Sequence, residues 1–254
     1  MRPAKEDVVT RLRILGYLVR HSFSTPPEDV LKELFSRWSG DDCHQFDESC
    51  RQRAQETISE MKSGDIWKAA SPREKKFLES FGSRIESYER LAASWRMECA
   101  GIMMWALNWH DWPKIDEELS PDIFKNIPQD KPPQLMEQAE VDKKRDLIEL
   151  WHWRVRTRQL IEEGQRLPAD EKLRAAGFHT FDDIVRFTAK QAHENGDLSE
   201  IKEDDFLFLG KPFRALPQEE YFIARSIISE RHYALNWLCG RAPGNRWDET
   251  PTET

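Results

Sequence analysis

The stretch LAASWRMECAGIMMWALNW, residues 91–109, decides the fold that the sequence predicts. Its apolar residues fall on every side of a helical projection, and the run 99–107 carries no charge. That run is too short to span a bilayer, so the pattern predicts a helix at the centre of a globular protein. The residues that we expect to be almost fully buried are Ile102, Trp105, Ala106 and Trp109.

Helical spacing of apolar residues extends from this segment toward both ends of the chain. One face of an N-terminal helix is formed by Val8, Leu12, Leu15 and Val19. Ser71 and Glu74 have the spacing of a capping box, which predicts the start of another helix. We interpret residues 40–47 as a polar loop and the arginines of 153–158 as a solvated helix face.

One segment departs from helical spacing. Short apolar runs flank Gly210-Lys211, a pattern that predicts a small β-hairpin with a type II′ turn. The predicted fold class is therefore mainly α, a multi-helix globular fold with one small β-hairpin near residues 206–216. Residues 1–254 can form a single domain, although two halves, 1–112 and 134–254, joined by a Pro-rich linker, are an alternative.

Composition disfavours several classes of partner and indicates a compartment. The net charge is −8, which repels phosphate backbones, so we expect no nucleic-acid partner. We expect no membrane partner either, because no apolar segment is long enough to span a bilayer. The four cysteines show no disulfide framework, which favours a cytoplasmic protein. Ten tryptophans are more typical of a heavy aromatic core than of rings presented to a ligand.

Four stretches, the first of them inside 91–109, carry a resemblance to a known family. They read SWRMECAGIMMWALNW at 94–109, GKPFRALPQEE at 210–220, SERHYALNWLCG at 229–240 and WDETPTET at 247–254. Together they resemble the bacterial family catalogued as domain of unknown function four-two-seven-two, loosely over most of the chain and closely at its C-terminal end. The resemblance implies a bacterial cytosolic protein and carries over no catalytic residue.

The candidate functional residues form what we call the polar cluster: Arg96, Glu98, Arg231, His232 and Asp248. Glu98 and Arg231 lie among apolar residues on their own helix faces, so each should be at least partly buried and should need a partner. We expect at least one ion contact within roughly 4 Å among Glu98, Arg231, Arg96 and Asp248, and we expect Asp248 to contact an Arg or a helix N-terminus. A functional interpretation is a pocket in which Arg231 holds an anion and His232 acts as acid or base. The alternative, which the sequence favours, is a structural network.

Metal and cofactor sites have little support in the sequence. Cys43, His44 and Cys50 are zinc-ligand types and weak candidates, because a second ligand pair is missing, so we expect no bound metal. The sequence contains no Gly-rich phosphate loop, no nucleophile elbow and no His-Glu-x-x-His motif, and we expect no cofactor.

Two hypotheses about function follow from these residues. The first is a helical binding or protein-interaction protein, whose partner is another protein or a second copy of the chain. The second is a small-molecule-binding enzyme that uses the Arg/Glu/His cluster, and whether the chain is an enzyme stays open. An exposed apolar patch would favour the first hypothesis, whereas a cavity beside His232 would favour the second.

Overall fold

The computed structural model describes residues 2–128 and 130–252 and is mainly helical. The helices are α1 (Lys5–Ser22), α2 (Glu28–Arg37), α3 (Gly40–Ser63), α4 (Pro72–Glu79), α5 (Ser87–Ala106), α6 (Gln138–Glu162), α7 (Glu171–Ala175), α8 (Phe181–Glu194) and α9 (Gln218–Leu238). The strands are β1 (Ile201–Lys202), β2 (Asp205–Phe208) and β3 (Lys211–Pro212), in the order β1-β2-β3. This arrangement confirms the predicted fold class.

The described residues fold into two compact units, each with more contacts inside it than to the other. The first unit holds 2–113, 119–141 and 233–251, and the second holds 114–118 and 142–232 together with residue 252. None of the helices among residues 2–128 and 130–252 combines the length and the apolar character needed to cross a membrane.

Helices α1 and α5 form the core of the first unit. The predicted stripe of α1 is confirmed, because Val8, Leu12, Leu15 and Val19 are at most 1% exposed. On α5, Ile102, Trp105 and Ala106 are buried as expected, with Ile102 fully enclosed.

The prediction for Trp109 is wrong, because this residue is only half-buried. The helix α5 ends at Ala106, and Asn108 adopts a φ of 57°, which turns the chain away from the helix axis. Beyond that turn, the indole N–H of Trp109 donates to the carbonyl oxygen of Lys131 at 3.1 Å.

Side-chain caps fix where two helices begin. At α4, the Glu74 amide donates to Ser71 Oγ at 3.2 Å and the Ser71 amide donates to Glu74 Oε2 at 2.8 Å, which confirms the capping box. The prediction of a polar loop at 40–47 is wrong, because α3 already begins at Gly40. Ser39 and Asp42 form a second capping box there, so a polar sequence forms the first turns of a helix.

The C-terminal residues of the first unit are anchored by an aromatic cluster. Trp247 is 3% exposed, and its ring lies edge-on to the rings of Tyr233 and Trp237. The guanidinium of Arg11 lies 4.7 Å from the centre of the same ring. The side-chain amide of Asn236 donates to the Pro251 carbonyl at 2.8 Å. This bond fixes the backbone one residue before the last residue that the structure describes.

The small sheet of the second unit packs its aromatic residues against α6. The ring of Trp151 makes edge contacts with Phe206, Phe208 and Phe213, which are all fully buried. The register pairs Phe208 with Lys211, so the turn residues are Leu209 and Gly210.

The hairpin is confirmed, but its predicted turn position and turn type are wrong, because the turn lies one residue before the predicted Gly210-Lys211. Both turn residues have positive φ, 49° for Leu209 and 72° for Gly210. That combination belongs to a type I′ turn, because a type II′ turn has a positive φ only at its first central residue.

Candidate functional site

Glu98, the first member of the polar cluster, lies on α5 with none of its surface exposed. Its Oε1 accepts the backbone N–H of Leu119 at 2.7 Å. Gly101, one turn further along α5, allows the close approach of this segment, because a Cβ there would lie 2.2 Å from Leu119 Cδ1. Glu98 therefore binds the segment that follows α5, and its predicted burial is confirmed.

Arg231, on α9, is also fully buried, as predicted. Its two terminal nitrogens donate to backbone carbonyls, Nη1 to Lys114 at 2.6 Å and Nη2 to Glu117 at 2.8 Å. A fork of parallel donors suits two carbonyls of one short segment. The expected ion contact among Glu98, Arg231, Arg96 and Asp248 stays a prediction.

His232 is fully buried, and its ring stacks on that of His152 with 4.4 Å between centroids and 19° between planes. His152 is itself only 6% exposed. Burial, helped by the nearby charges of Arg156 and Arg225, lowers the pKa of His152 to about 4. The stack is thus enclosed by protein, and His152 is neutral at neutral pH.

The remaining members of the polar cluster, Arg96 and Asp248, lie beside the C-terminal aromatic residues. The guanidinium of Arg96 lies 5.0 Å from the ring centre of Tyr233 and 5.9 Å from that of Trp247. Burial raises the pKa of Tyr233 to about 12, so its hydroxyl stays protonated. Asp248 is half-buried and makes no ion pair or hydrogen bond within residues 2–128 and 130–252, where we had expected an Arg or a helix N-terminus.

An ion pair that sequence reasoning missed lies in the second unit. Arg154 on α6 is 2% exposed and binds Asp205 of β2 through two bonds, Nε to Oδ1 at 2.7 Å and Nη2 to Oδ2 at 2.8 Å. The backbone N–H groups of Phe206 and Arg214 also donate to this carboxylate. Burial alone would raise the pKa of Asp205, but Arg154 and the two N–H donors hold it below its usual value.

The solvated interpretation of 153–158 is therefore wrong for two of its three arginines. Arg154 is buried, and Arg158 lies 4.1 Å from the ring centre of Tyr221 and donates to the carbonyls of Phe213 and Leu216. A signal was present in the sequence, because Trp151 and Val155 form an apolar stripe whose helix face also includes positions 154 and 158. Only Arg156 is exposed.

The weak metal candidates lie on one helix. Cys43, His44 and Cys50 belong to α3, where Cys50 is buried and Cys43 is half-buried. Among residues 2–128 and 130–252, no three His, Cys, Asp or Glu side chains come together as a metal site would require.

An apolar concavity lies in the first unit, and we call it the groove. Its volume is about 760 Å³, and one wall is the α1 face that carries Leu12, Gly16 and Val19, continued by Phe23 directly after the helix. The opposite wall is the segment 121–127, with Gly64 and Ile66 also lining the groove.

The surface of the groove combines buried and exposed apolar groups. Leu12, Val19 and Ile66 are buried, Tyr17 and Phe124 are half-buried, and Phe23 is 60% exposed. Arg13, Arg20 and Lys125 also line the groove, and all three are exposed. The concavity thus offers apolar contacts with cationic groups beside them, a combination typical of binding sites.

Sequence reasoning did not find the groove. Two residues of the stripe that predicts α1, Leu12 and Val19, also line the groove, but its more exposed apolar surface comes from Tyr17 and Phe23, which are not part of that stripe. Its other wall falls in the Pro-rich linker, where the sequence predicts no regular element. Two aromatic residues off the predicted stripe, Tyr17 on α1 and Phe23 directly after it, were the available signal.

Fold and site together define a mainly helical protein with an enclosed polar interior and an exposed apolar groove. The chain belongs to the family described as "Domain of unknown function (DUF4272)", which matches residues 2–171. That range includes residues 94–109 but ends before the other three stretches on which the resemblance rested. No curated protein and no solved structure matches the chain.

Proposed function

We propose that this protein is a bacterial, cytoplasmic interaction protein whose groove binds an amphipathic helix of a protein partner. The observation that carries the proposal is the exposed apolar surface of the groove, with Phe23 at 60% exposure. A partner that covers this ring removes apolar surface from water, and this burial stabilises the complex. The four free thiols favour the cytoplasmic location.

The dimensions of the groove support a helix as its occupant. From Leu12 to Phe23 the α1 wall extends about 16 Å, since each helical residue advances about 1.5 Å. A helix of about three turns has this length and can place apolar anchors at i, i+3, i+4 and i+7 along the groove. Both walls remain open to solvent at Arg13 and Lys125, which leaves space for the polar face of such a helix.

The enzyme hypothesis has less support. It requires the polar cluster to meet a substrate, yet Glu98, Arg231 and His232 have no exposed surface. Oε1 of Glu98 and both terminal nitrogens of Arg231 already bind backbone groups. A catalytic group must reach the reacting atoms, so these residues are better suited to holding chain segments in place.

A displayed library of amphipathic helices tests the proposal. Apolar residues vary at the anchor positions, and Gln, Glu and Lys vary elsewhere. We expect enriched peptides to bind the full chain and to lose at least about fivefold in affinity on Phe23→Gln or Phe124→Gln. The matched control is Leu91→Gln, which changes an apolar side chain of the same unit that is 47% exposed and lies outside the groove.

Two outcomes would overturn the proposal. One is a selection in which the enriched peptides bind Phe23→Gln and Leu91→Gln equally well. The other is a wild-type chain that dimerises in sedimentation equilibrium and becomes monomeric on Phe23→Gln, because a second copy would then occupy the groove. Thermal unfolding of each variant shows whether it is folded.

A further inference from the structure

Resting on that proposed function, we infer that the helix bound in the groove carries acidic side chains beside its apolar anchors, placed against Arg13, Arg20 and Lys125. These are the only charged groups among the described residues that line the groove, and all three are cations. The chain as a whole has the opposite bias, with 46 acidic residues and 38 Lys and Arg. The groove therefore differs in charge from the rest of the surface.

Arg13 is the strongest part of this argument. It is exposed and makes no ion pair with any residue in 2–128 or 130–252. Its neighbours on the helix surface at three and four positions are not acidic: Val9, Thr10, Gly16 and Tyr17. A carboxylate from a partner would be its first close counter-charge.

Arg20 and Lys125 have acidic partners, but only on the surface. Arg20 binds Glu60 at 2.8 Å, and each side chain of this pair is 53% exposed. Lys125 binds Asp122 at 2.7 Å, with both side chains more than two thirds exposed. Pairs of this kind are weak, so both cations can turn to a carboxylate brought by a partner. Arg20 is also held at the wall, 5.0 Å from the ring centre of Tyr17.

The overall charge sets where the partner's acidic groups can lie. A net charge of −8 repels a generally acidic protein at long range. Carboxylates that lie within a few ångströms of the anchors still gain from the local cations, and salt screens both effects. The structure therefore favours a helix with acidic positions next to its apolar stripe over a long acidic tail.

Charge-exchanged peptides test the inference. The best peptide from the library is remade with Glu, Gln or Lys at the positions flanking the anchors, and the affinity for the full chain is measured at low and high salt. We expect the Glu peptide to bind about tenfold more tightly than the Lys peptide at low salt. The double variant Arg13→Gln/Lys125→Gln should reduce that ratio to about twofold and leave the Gln peptide unchanged.

The control is Lys32→Gln/Arg37→Gln, which removes two exposed cations from α2, outside the groove. It should keep the ratio of the wild-type chain. Equal affinity for the Glu and Lys peptides, with binding still lost on Phe23→Gln, would overturn this inference and leave the proposed function intact. If no peptide depends on Phe23, the proposed function fails and the inference fails with it.

Discussion

The interior of the second unit and the groove of the first unit differ in what they leave unsatisfied. The interior encloses paired charges, whereas the groove exposes an apolar ring and a cation. In the second unit, Arg154 and Asp205 are enclosed and bind each other through two hydrogen bonds. In the groove, Phe23 stays exposed at one end of the α1 wall, and Arg13 near the other end has no acidic partner among the described residues. Groups whose interactions are satisfied inside the chain stabilise the fold, whereas groups left unsatisfied at its surface are available to a partner.

The largest effect should come from breaking the enclosed ion pair. Arg154→Met removes the enclosed counter-charge of Asp205 and leaves only the partly exposed Arg214, whose Nε lies 3.5 Å from Oδ2. We expect the free energy of unfolding to fall by about 3–5 kcal/mol. Urea denaturation measures the change. Arg156→Met, at an exposed position two residues away, is the control and should stay within about 0.5 kcal/mol of the wild-type chain. A loss below about 1 kcal/mol for Arg154→Met would mean that the pair does not hold the second unit together.

A slightly smaller effect is expected at the C-terminal end of the first unit, where Trp247 is buried as the residues of the ion pair are. Trp247→Ala removes a buried ring from contact with Tyr233, Trp237 and Arg11, and should lower stability by about 3 kcal/mol. Removing residues 246–254 should have at least this effect in thermal unfolding, with Arg246→Ala as an exposed control. An unchanged melting temperature after truncation would show that the end of the chain is not structural.

The histidine stack predicts a pH dependence of intermediate size. The pKa of His152 falls from 6.5 to about 4 on folding, mainly because burial disfavours the charged ring. Above pH 6.5 the ring is neutral in both states, so its full contribution is present there. As the pH falls from 6.5 to about 4, the unfolded chain takes up a proton first, and we expect about 1–3 kcal/mol of stability to be lost.

Denaturation at a series of pH values checks this expectation. His152→Phe should flatten the stability profile between pH 6.5 and 4, because the variant has no proton to bind at that position. His179→Gln, at an exposed position, is the control and should keep the slope of the wild-type chain. An equal slope in all three proteins would contradict the enclosed, neutral state of His152.

The smallest effect on stability is expected in the groove. A small effect there would separate a binding role of the groove from the structural role of the ion pair in the second unit. Phe23→Gln replaces a ring that is 60% exposed, so the free energy of unfolding should change by no more than about 0.5 kcal/mol. The same variant should weaken peptide binding by at least about fivefold. A loss of stability as large as that of Trp247→Ala would instead make Phe23 part of the core.

The sequence predicted the fold because most of its helices follow local rules. Apolar spacing found α1 and α5, and the Ser71–Glu74 pattern found the start of α4. Burial of Glu98 and Arg231 also followed from spacing, because each lies among apolar residues on its own helix. Interpreting 40–47 as a loop was wrong because a polar composition does not prevent a helix that Ser39 caps.

The groove and the Arg154–Asp205 pair could not be predicted in the same way. The two residues of the pair are 51 positions apart, so their contact depends on tertiary packing that no local pattern reports. The groove is formed by one face of α1 and by the segment 121–127, which has no regular spacing of its own. The function proposed for the groove could not be predicted locally either, because it depends on which surface the folded chain leaves exposed.

Hydrogen exchange of the full chain, with and without the Glu-flanked peptide, tests the central claim most directly. If the groove is the binding site, slower exchange should be confined to the segments 12–23 and 121–127 that form its walls. Exchange around Arg154 should not change. Protection that appears elsewhere and not in these two segments, under conditions in which the peptide is bound, would contradict the account.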